Sequence, residues 1–368
     1  MSPYHIALTR IPRLGNKGLR ELAALFPRIE EVYDLSHSQL RDIFGNHPCI
    51  IAAIEERTTL AEAEKAARDL EEKHIKALFF TDAEYPQRMN RPGCEDCPAL
   101  VYLLGECDLN APRAVAIVGT RKATDYGRTT TARIVREMAE EKPLIVSGLA
   151  IGIDTAAHSA AVAGGLPTVA ILGHGLDRIY PPENRDLARS ILASGGALLT
   201  EFPLHTPINP KNFPARNRII AAMSDATVVV EAAERGGALI TANMAIGYNR
   251  EVFAVPGYLD APFSVGCNTM ISNNKAILIR HAGDIYYQMG WKGANYPQTS
   301  VGKQQELFAL MSPDEKRLAD LLVDHREMSL DEMAAESGIP MQKTASVVFE
   351  MEMKNLIRCL PGRLYKLV

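Results

Sequence analysis

The chain's densest chemistry lies between His205 and Arg218, which reads HTPINPKNFPARNR. Lys211, Arg216 and Arg218 fall within eight residues with no acid among them, and Phe213 and Asn217 are interleaved. Cations in a row follow a sugar–phosphate backbone, an aromatic ring stacks on a base, and an amide binds a base edge. That mixture points to unpaired nucleic acid. The competing reading is a proline-rich loop that runs into a solvated basic helix start.

Further segments end apolar runs with turns suited to anions. Gly119-Thr120-Arg121 follows Ala114–Val118, and residues 113–136 hold six Arg or Lys against one Asp. Glycine permits the sharp turn, the following N–H groups open a helix, and Arg121 adds a bidentate donor for phosphate. Neither GxGxxG nor a Walker sequence is present, so no dinucleotide fingerprint is expected. Ser147-Gly148 follows the next apolar run, and Gly237 with Thr241 opens a fourth helix. Thr120 and the N–H groups after it, and Gly237 with Thr241, are therefore expected as anion contacts, and the glycines of the second turn as a place of close ligand approach. Asp154 and His158, spaced i, i+4, read as a cap and a packed imidazole rather than a catalytic pair. The Gly173–Asn184 turn, with its paired prolines, reads as mainly architectural. Cys94-Glu-Asp-Cys97 has half the spacing of a zinc site and no second half, so no metal is expected and the pair reads as reduced thiols.

These turns need a scaffold that presents them together. Ala114–Val118, Leu144–Val146, Thr168–Leu172, Ala226–Val230 and Val252–Val255 are apolar runs of buried-strand length, separated by helical patterns. That alternation predicts an α/β fold, an extended Rossmann-like, doubly wound, mostly parallel sheet with ligands at the strand carboxyl ends. Residues 1–75 read as a small helical N-terminal domain. Its Ile11-Pro-Arg-Leu14-Gly15 turn is helix-hairpin-helix-like, either a phosphate-binding turn or a packing hairpin. Residues 76–110 read as a connector with a strand at 99–104, residues 111–290 as the Rossmann-like domain, 291–304 as a linker, and 305–368 as a C-terminal winged-helix domain. The second helix of that last domain has one cation before Glu350 and Glu352, which suits a protein contact better than a DNA groove.

The chain has 368 residues, 47% hydrophobic and 23% charged, which excludes a mainly disordered or fibrous polypeptide. Its net charge is −4, yet residues 111–290 carry 17 basic and 15 acidic side chains, so binding to phosphates depends on a local patch. Six scattered cysteines form no disulfide framework, and no run of about 18 apolar residues or leader-like N-terminus is present, so a cytoplasmic protein without membrane contact is expected.

The ordered motifs VGTR…YG, VSGLAIGIDTAAH, AILGHGLDRIYPPEN, TEFP…FPARNRIIA, VVEAAERGGALITA and FAVPG together resemble the bacterial DNA-processing DprA (Smf) family. The resemblance implies a homodimeric, non-enzymatic single-stranded-DNA-binding protein, without cofactor. It further implies protection of incoming DNA and loading of a RecA-type recombinase in natural transformation and recombination. The family's DNA contacts carry over onto Arg121, Lys211, Phe213, Arg216 and Asn217, with Gly119, Thr120, Ser147 and Gly148 as backbone or hydroxyl phosphate contacts. One departure is Gly236-Gly237 where the family usually has Ser-Gly, which removes a hydroxyl at that turn. The alternative is an enzyme on a related scaffold that cleaves nucleoside monophosphates. It would need a carboxylate beside the sugar, such as Glu201 or Glu231.

Overall fold

The computed structural model describes residues 2–45, 47–291, 312–325, 328–354, 356–360 and 364–367. The chain divides into two compact units, Met1–Gly293 and Ala294–Val368. The first is built on a nine-stranded sheet. Its strands are β1 (Ile75–Phe79), β2 (Leu100–Gly105), β3 (Ala114–Val118), β4 (Leu144–Ser147), β5 (Thr168–Leu172), β6 (Ala197–Thr200), β7 (Ala226–Val229), β8 (Glu251–Ala254) and β9 (Ile277–Leu278).

The strand order is β1-β2-β6-β5-β4-β3-β7-β8-β9. From β6 to β9 every neighbouring pair is parallel, while β1 pairs β2, and β2 pairs β6, antiparallel. Strands β3, β4 and β5 are buried along their whole length, as strands covered by helices on both faces must be. The helices Asp125–Glu137 and Ile153–Ala163 cover one face through Ile134, Val135, Ile153 and Ala157. Asn212–Ala222 and Gly237–Gly247 cover the other through Ile219, Ile220, Ala242 and Ala245. The chain runs outward from β3 to β6 and returns to β7 on the other side of β3. Strand order therefore reverses at β3, and the turn leaving its carboxyl end is Gly119–Arg121. Ligands of such sheets bind at this reversal.

The connector at 76–110 contributes two strands to the sheet, where the sequence suggested one. Strand β1 follows directly on the charged helix Leu60–Glu72 and pairs with β2. The N-terminal helices, among them Pro3–Thr9 and Gly15–Leu25, share a core with this sheet region through Ile6, Leu22, Phe79 and Tyr102. Ile11 and Leu14 of the helix-hairpin-helix-like turn are buried in that core.

The second unit has helices Pro313–His325, Leu330–Ser337 and Met341–Met353, with a three-stranded sheet. That sheet comprises β10 (Met328–Ser329), β11 (Ile357–Leu360) and β12 (Leu364–Leu367), in the order β10-β12-β11. Leu318, Met333, Val348, Met351 and Ile357 form its core, giving the winged-helix pattern. Ser329 and Glu332 close a capping box on the second helix. The linker predicted at 291–304 lies, beyond residue 291, outside the described residues.

Candidate nucleic-acid interface

Phe213 brings the separate turns together. It sits in the first turn of the helix Asn212–Ala222, with the exposed Lys211 at that helix's N-cap. The Arg121 guanidinium, from the turn after β3, lies 5.4 Å from the Phe213 ring centroid, a cation–π distance. Tyr180, from the turn after β5, stands 5.9 Å from the same ring, tilted by 34°. Beneath them the Arg216 guanidinium is 6.0 Å from the ring centroid. Arg121, Ala150, Ile151, Tyr180 and Phe213 line one pocket with Arg216. Lys211, two residues before Phe213, stands at the N-cap of the helix that carries the ring.

Arg216 is the keystone of this pocket rather than a surface contact. It is 4% exposed, and its Nη1 donates to the carbonyl oxygens of Gly148 and Ile171. Gly148 leaves the room this guanidinium fills: a Cβ there would lie 2.7 Å from Nη2 of Arg216 and closer still to Cζ and Nη1, so the guanidinium would have to move. Burial pulls the Arg216 pKa down to about 10, opposed by Asp154, and the nearby Arg121 lowers it further. The guanidinium stays charged at neutral pH. Asp154, 7% exposed, accepts N–H groups from Gly148 (3.1 Å) and Ala150 (3.2 Å), so it fixes the turn after β4. Burial raises its pKa, opposed by Arg216 and those two amides. His158 is fully buried against Thr168 Oγ1 at 2.8 Å, and burial drives its pKa down to about 3. Asp154 and His158 are thus a turn clamp and a packed neutral imidazole.

The turn after β3 is held by Glu231, itself 3% exposed. Its backbone oxygen accepts the Thr120 N–H at 2.7 Å, while its carboxylate accepts the Thr124 N–H at 2.9 Å and the Thr124 hydroxyl at 2.5 Å. Gly127 leaves the space this carboxylate fills.

The geometry sorts the predicted site residues into two groups. Arg121 and Phe213 meet in one pocket, while Lys211 is exposed and Asn217 part-exposed on the helix that carries Phe213. Several others are committed inside the fold, which corrects the expectation of direct phosphate contact. The Ser147 hydroxyl is fully buried and donates to Ile117 O at 2.7 Å. Thr241 is 2% exposed and its hydroxyl turns back to Gly237 O at 3.3 Å. The Gly148 N–H goes to Asp154, and Thr120 gives its N–H to Glu231 O but keeps a part-exposed hydroxyl that accepts the Lys122 N–H at 3.1 Å, so Thr120 is not withdrawn from the interface. A Cβ at Gly119 would strike Ile153, so that glycine serves helix packing. Arg218 pairs with Glu201 and donates to Asp96 O, in the loop between the two cysteines. A Cβ at Gly237 would meet open space.

Tyr180 and Ile151 were missed as site residues, because proline-flanked and apolar loop positions read as architecture. Asn184, which donates to Leu149 O at 2.8 Å and ties the third turn to the second, carries no distinguishing signal in sequence. Cys94 and Cys97 are buried, and the thiol–thiol hydrogen bond lowers Cys94 to about 7 while raising Cys97. Among the described residues no group of three potential metal ligands forms.

Comparison with known proteins bears on this arrangement. Residues 76–290 match the family described as DNA recombination-mediator protein A, and residues 302–363 match the DprA winged helix domain. The chain belongs to the DprA/Smf family. Protein Smf of Synechocystis is 30% identical over 99% of this chain and 98% of its own length. DNA processing protein DprA of Streptococcus pneumoniae is 39% identical over half of this chain and 64% of its own. The X-ray structure of the Streptococcus pneumoniae DprA superposes with a TM-score of 0.67 at 30% identity, covering 78% of this chain and 98% of that one. DNA processing protein A of Helicobacter pylori, described with a unique single-stranded DNA binding mode, superposes with a TM-score of 0.52 at 28% identity over 59% of this chain and 97% of that one. Both the Rossmann-like sheet and the winged helix are thus features of a DprA-family chain. Among the described residues no helix is long and apolar enough to cross a membrane.

Proposed function

We propose that this DprA-family chain is a cytoplasmic, non-enzymatic protein that binds single-stranded DNA along the carboxyl rim of its sheet. It protects incoming strands and, as a homodimer, hands them to a RecA-type recombinase during natural transformation and recombination. The observation carrying the reading is the Arg121–Phe213–Tyr180 cluster above the buried Arg216. A cation for phosphate and aromatic surface for a base stand side by side, with a second positive charge beneath. Lys211 and Asn217 extend the rim at the same helix start. The Helicobacter pylori relative supports the choice of ligand.

The carboxylates that nucleoside-monophosphate cleavage would require are occupied. Glu231 clamps Thr124, and Glu201 is paired with Arg218, with burial raising its pKa. The test is a salt-titrated anisotropy measurement with single- and double-stranded oligonucleotides. Arg121→Ala and Lys211→Ala should each weaken single-strand binding by about 1–3 kcal/mol at moderate salt. Unchanged dissociation constants in both variants would overturn the assignment.

A further inference from the structure

The loop after β8 presents the most exposed large apolar side chains of the first unit. Tyr258 is 81% and Leu259 90% exposed. Such side chains on a floppy loop would mean little, but this loop is held firmly. Tyr126 Oη donates to Pro256 O at 2.7 Å. The Asn268 side chain both accepts the Gly257 N–H at 3.2 Å and donates to Gly257 O at 3.0 Å. At the far end Ala232 N–H reaches Phe263 O at 2.7 Å, and within the tip Ala261 N–H closes a turn on Tyr258 O at 3.2 Å. An aromatic residue is thus kept in water on a pre-ordered frame, which lowers the entropic cost of using it as a contact.

Its position links it to the groove. Tyr126 stands five residues beyond Arg121, so the hydrogen bond to Pro256 ties the Tyr258 loop directly to the turn that carries Arg121. Both leave carboxyl ends of parallel strands, β3 and β8, with β7 between them. At ~4.8 Å per strand the two turns are about 10 Å apart along one rim. Lys122 and Arg235, both exposed, lie on the turns between. Asp260 is exposed beside the tip and disfavours a phosphate there, so contact at the tip would be through a base face.

We propose that Tyr258 is a second stacking platform, taking a base of the same single strand that the Arg121–Phe213 groove holds. The proposal rests on the groove reading above. With the two turns about 10 Å apart, a strand of several nucleotides running from Phe213 past Arg121 reaches Tyr258, whereas a dinucleotide does not.

The test uses the full chain and oligothymidylates of about 2 and about 20 nucleotides, bracketing the ~4–16-nucleotide range of single-strand sites. Tyr258→Ala should weaken binding of the long oligonucleotide about tenfold and leave the short one unchanged. Tyr258→Trp should restore long-strand affinity, and its added fluorescence should be quenched by the long strand alone. Arg121→Ala should weaken both lengths. If Tyr258→Ala leaves long-strand affinity intact while Arg121→Ala lowers it, the platform is refuted and the groove stands. If neither variant changes binding, the groove reading itself fails. If the Tyr258→Ala loss appears only together with loss of self-association in sedimentation, the tip is a protein contact and the proposal is overturned.

Discussion

Gly148→Ala is expected to act through a residue 68 positions away in sequence. The added methyl must expel the Arg216 guanidinium, because its Cβ would lie 2.7 Å from Nη2 with Cζ and Nη1 nearer still. Expulsion breaks the donation of Nη1 to Gly148 O and Ile171 O. Hydrogen bonds from a charged donor contribute ~1.5–3 kcal/mol, and a buried carbonyl left unsatisfied costs ~1–3 kcal/mol. Gly148→Ala should therefore lower stability by about 3–5 kcal/mol. Arg216→Ala removes the same interactions and should cost a comparable amount. In the Arg216→Ala background the steric conflict is gone, so adding Gly148→Ala should cost under about 1 kcal/mol. The coupling energy should then exceed about 2 kcal/mol, at the upper end for residues in contact. The assay is urea unfolding of the two single variants, the double variant and the wild type, followed by a signal from the sheet unit. Additive costs would refute the keystone role of Arg216, as would a Gly148→Ala cost below about 1 kcal/mol.

Arg218→Ala should leave Glu201 buried without its partner, costing about 3–5 kcal/mol in thermal or urea unfolding with little change in single-strand affinity. A strong affinity loss at full stability would return Arg218 to the interface. Glu231→Gln should loosen the turn after β3 by about 1–3 kcal/mol, read as a fall in melting temperature. Neither it nor the wild type should release free base from nucleoside monophosphates, and release by the wild type that this substitution abolishes would overturn the non-enzymatic reading. His158 has its pKa lowered from 6.5 to about 3, so between those values the unfolded chain binds a proton that the fold does not. Stability should fall as pH drops from about 6.5 towards 3, by up to ~1.4 kcal/mol per pH unit from this group. His158→Gln should flatten that slope, and an unchanged slope would contradict the neutral imidazole.

Sheet and rim were legible in sequence because continuous apolar runs ending in glycine or small polar residues leave little choice of fold. Strand β1 was not, since five residues following a charged helix show no distinguishing period and take their strand form from pairing with β2. At the site, the basic segment after Pro210 was legible as chemistry but not as geometry. On a helix, Phe213 and Arg216 lie three residues apart and line the same pocket, yet the ring is part-exposed while the guanidinium is buried on the Gly148 and Ile171 carbonyls. Sequence gives the same positive charge to Arg121, Arg216 and Arg218. Only packing shows that the first faces solvent, the second ties the turn after β4 to strand β5, and the third pairs with Glu201. Ser147 and Thr241 likewise look available as hydroxyls and are spent on carbonyls inside the fold.

Photo-cross-linking of a 5-iodouracil-substituted single strand, with adducts mapped by peptide mass spectrometry, tests the groove most directly. Adducts should fall on Phe213 and Tyr180, and Arg121→Ala should suppress them. Adducts confined to residues 312–367, or to the N-terminal helices, would contradict a groove on the sheet's carboxyl rim.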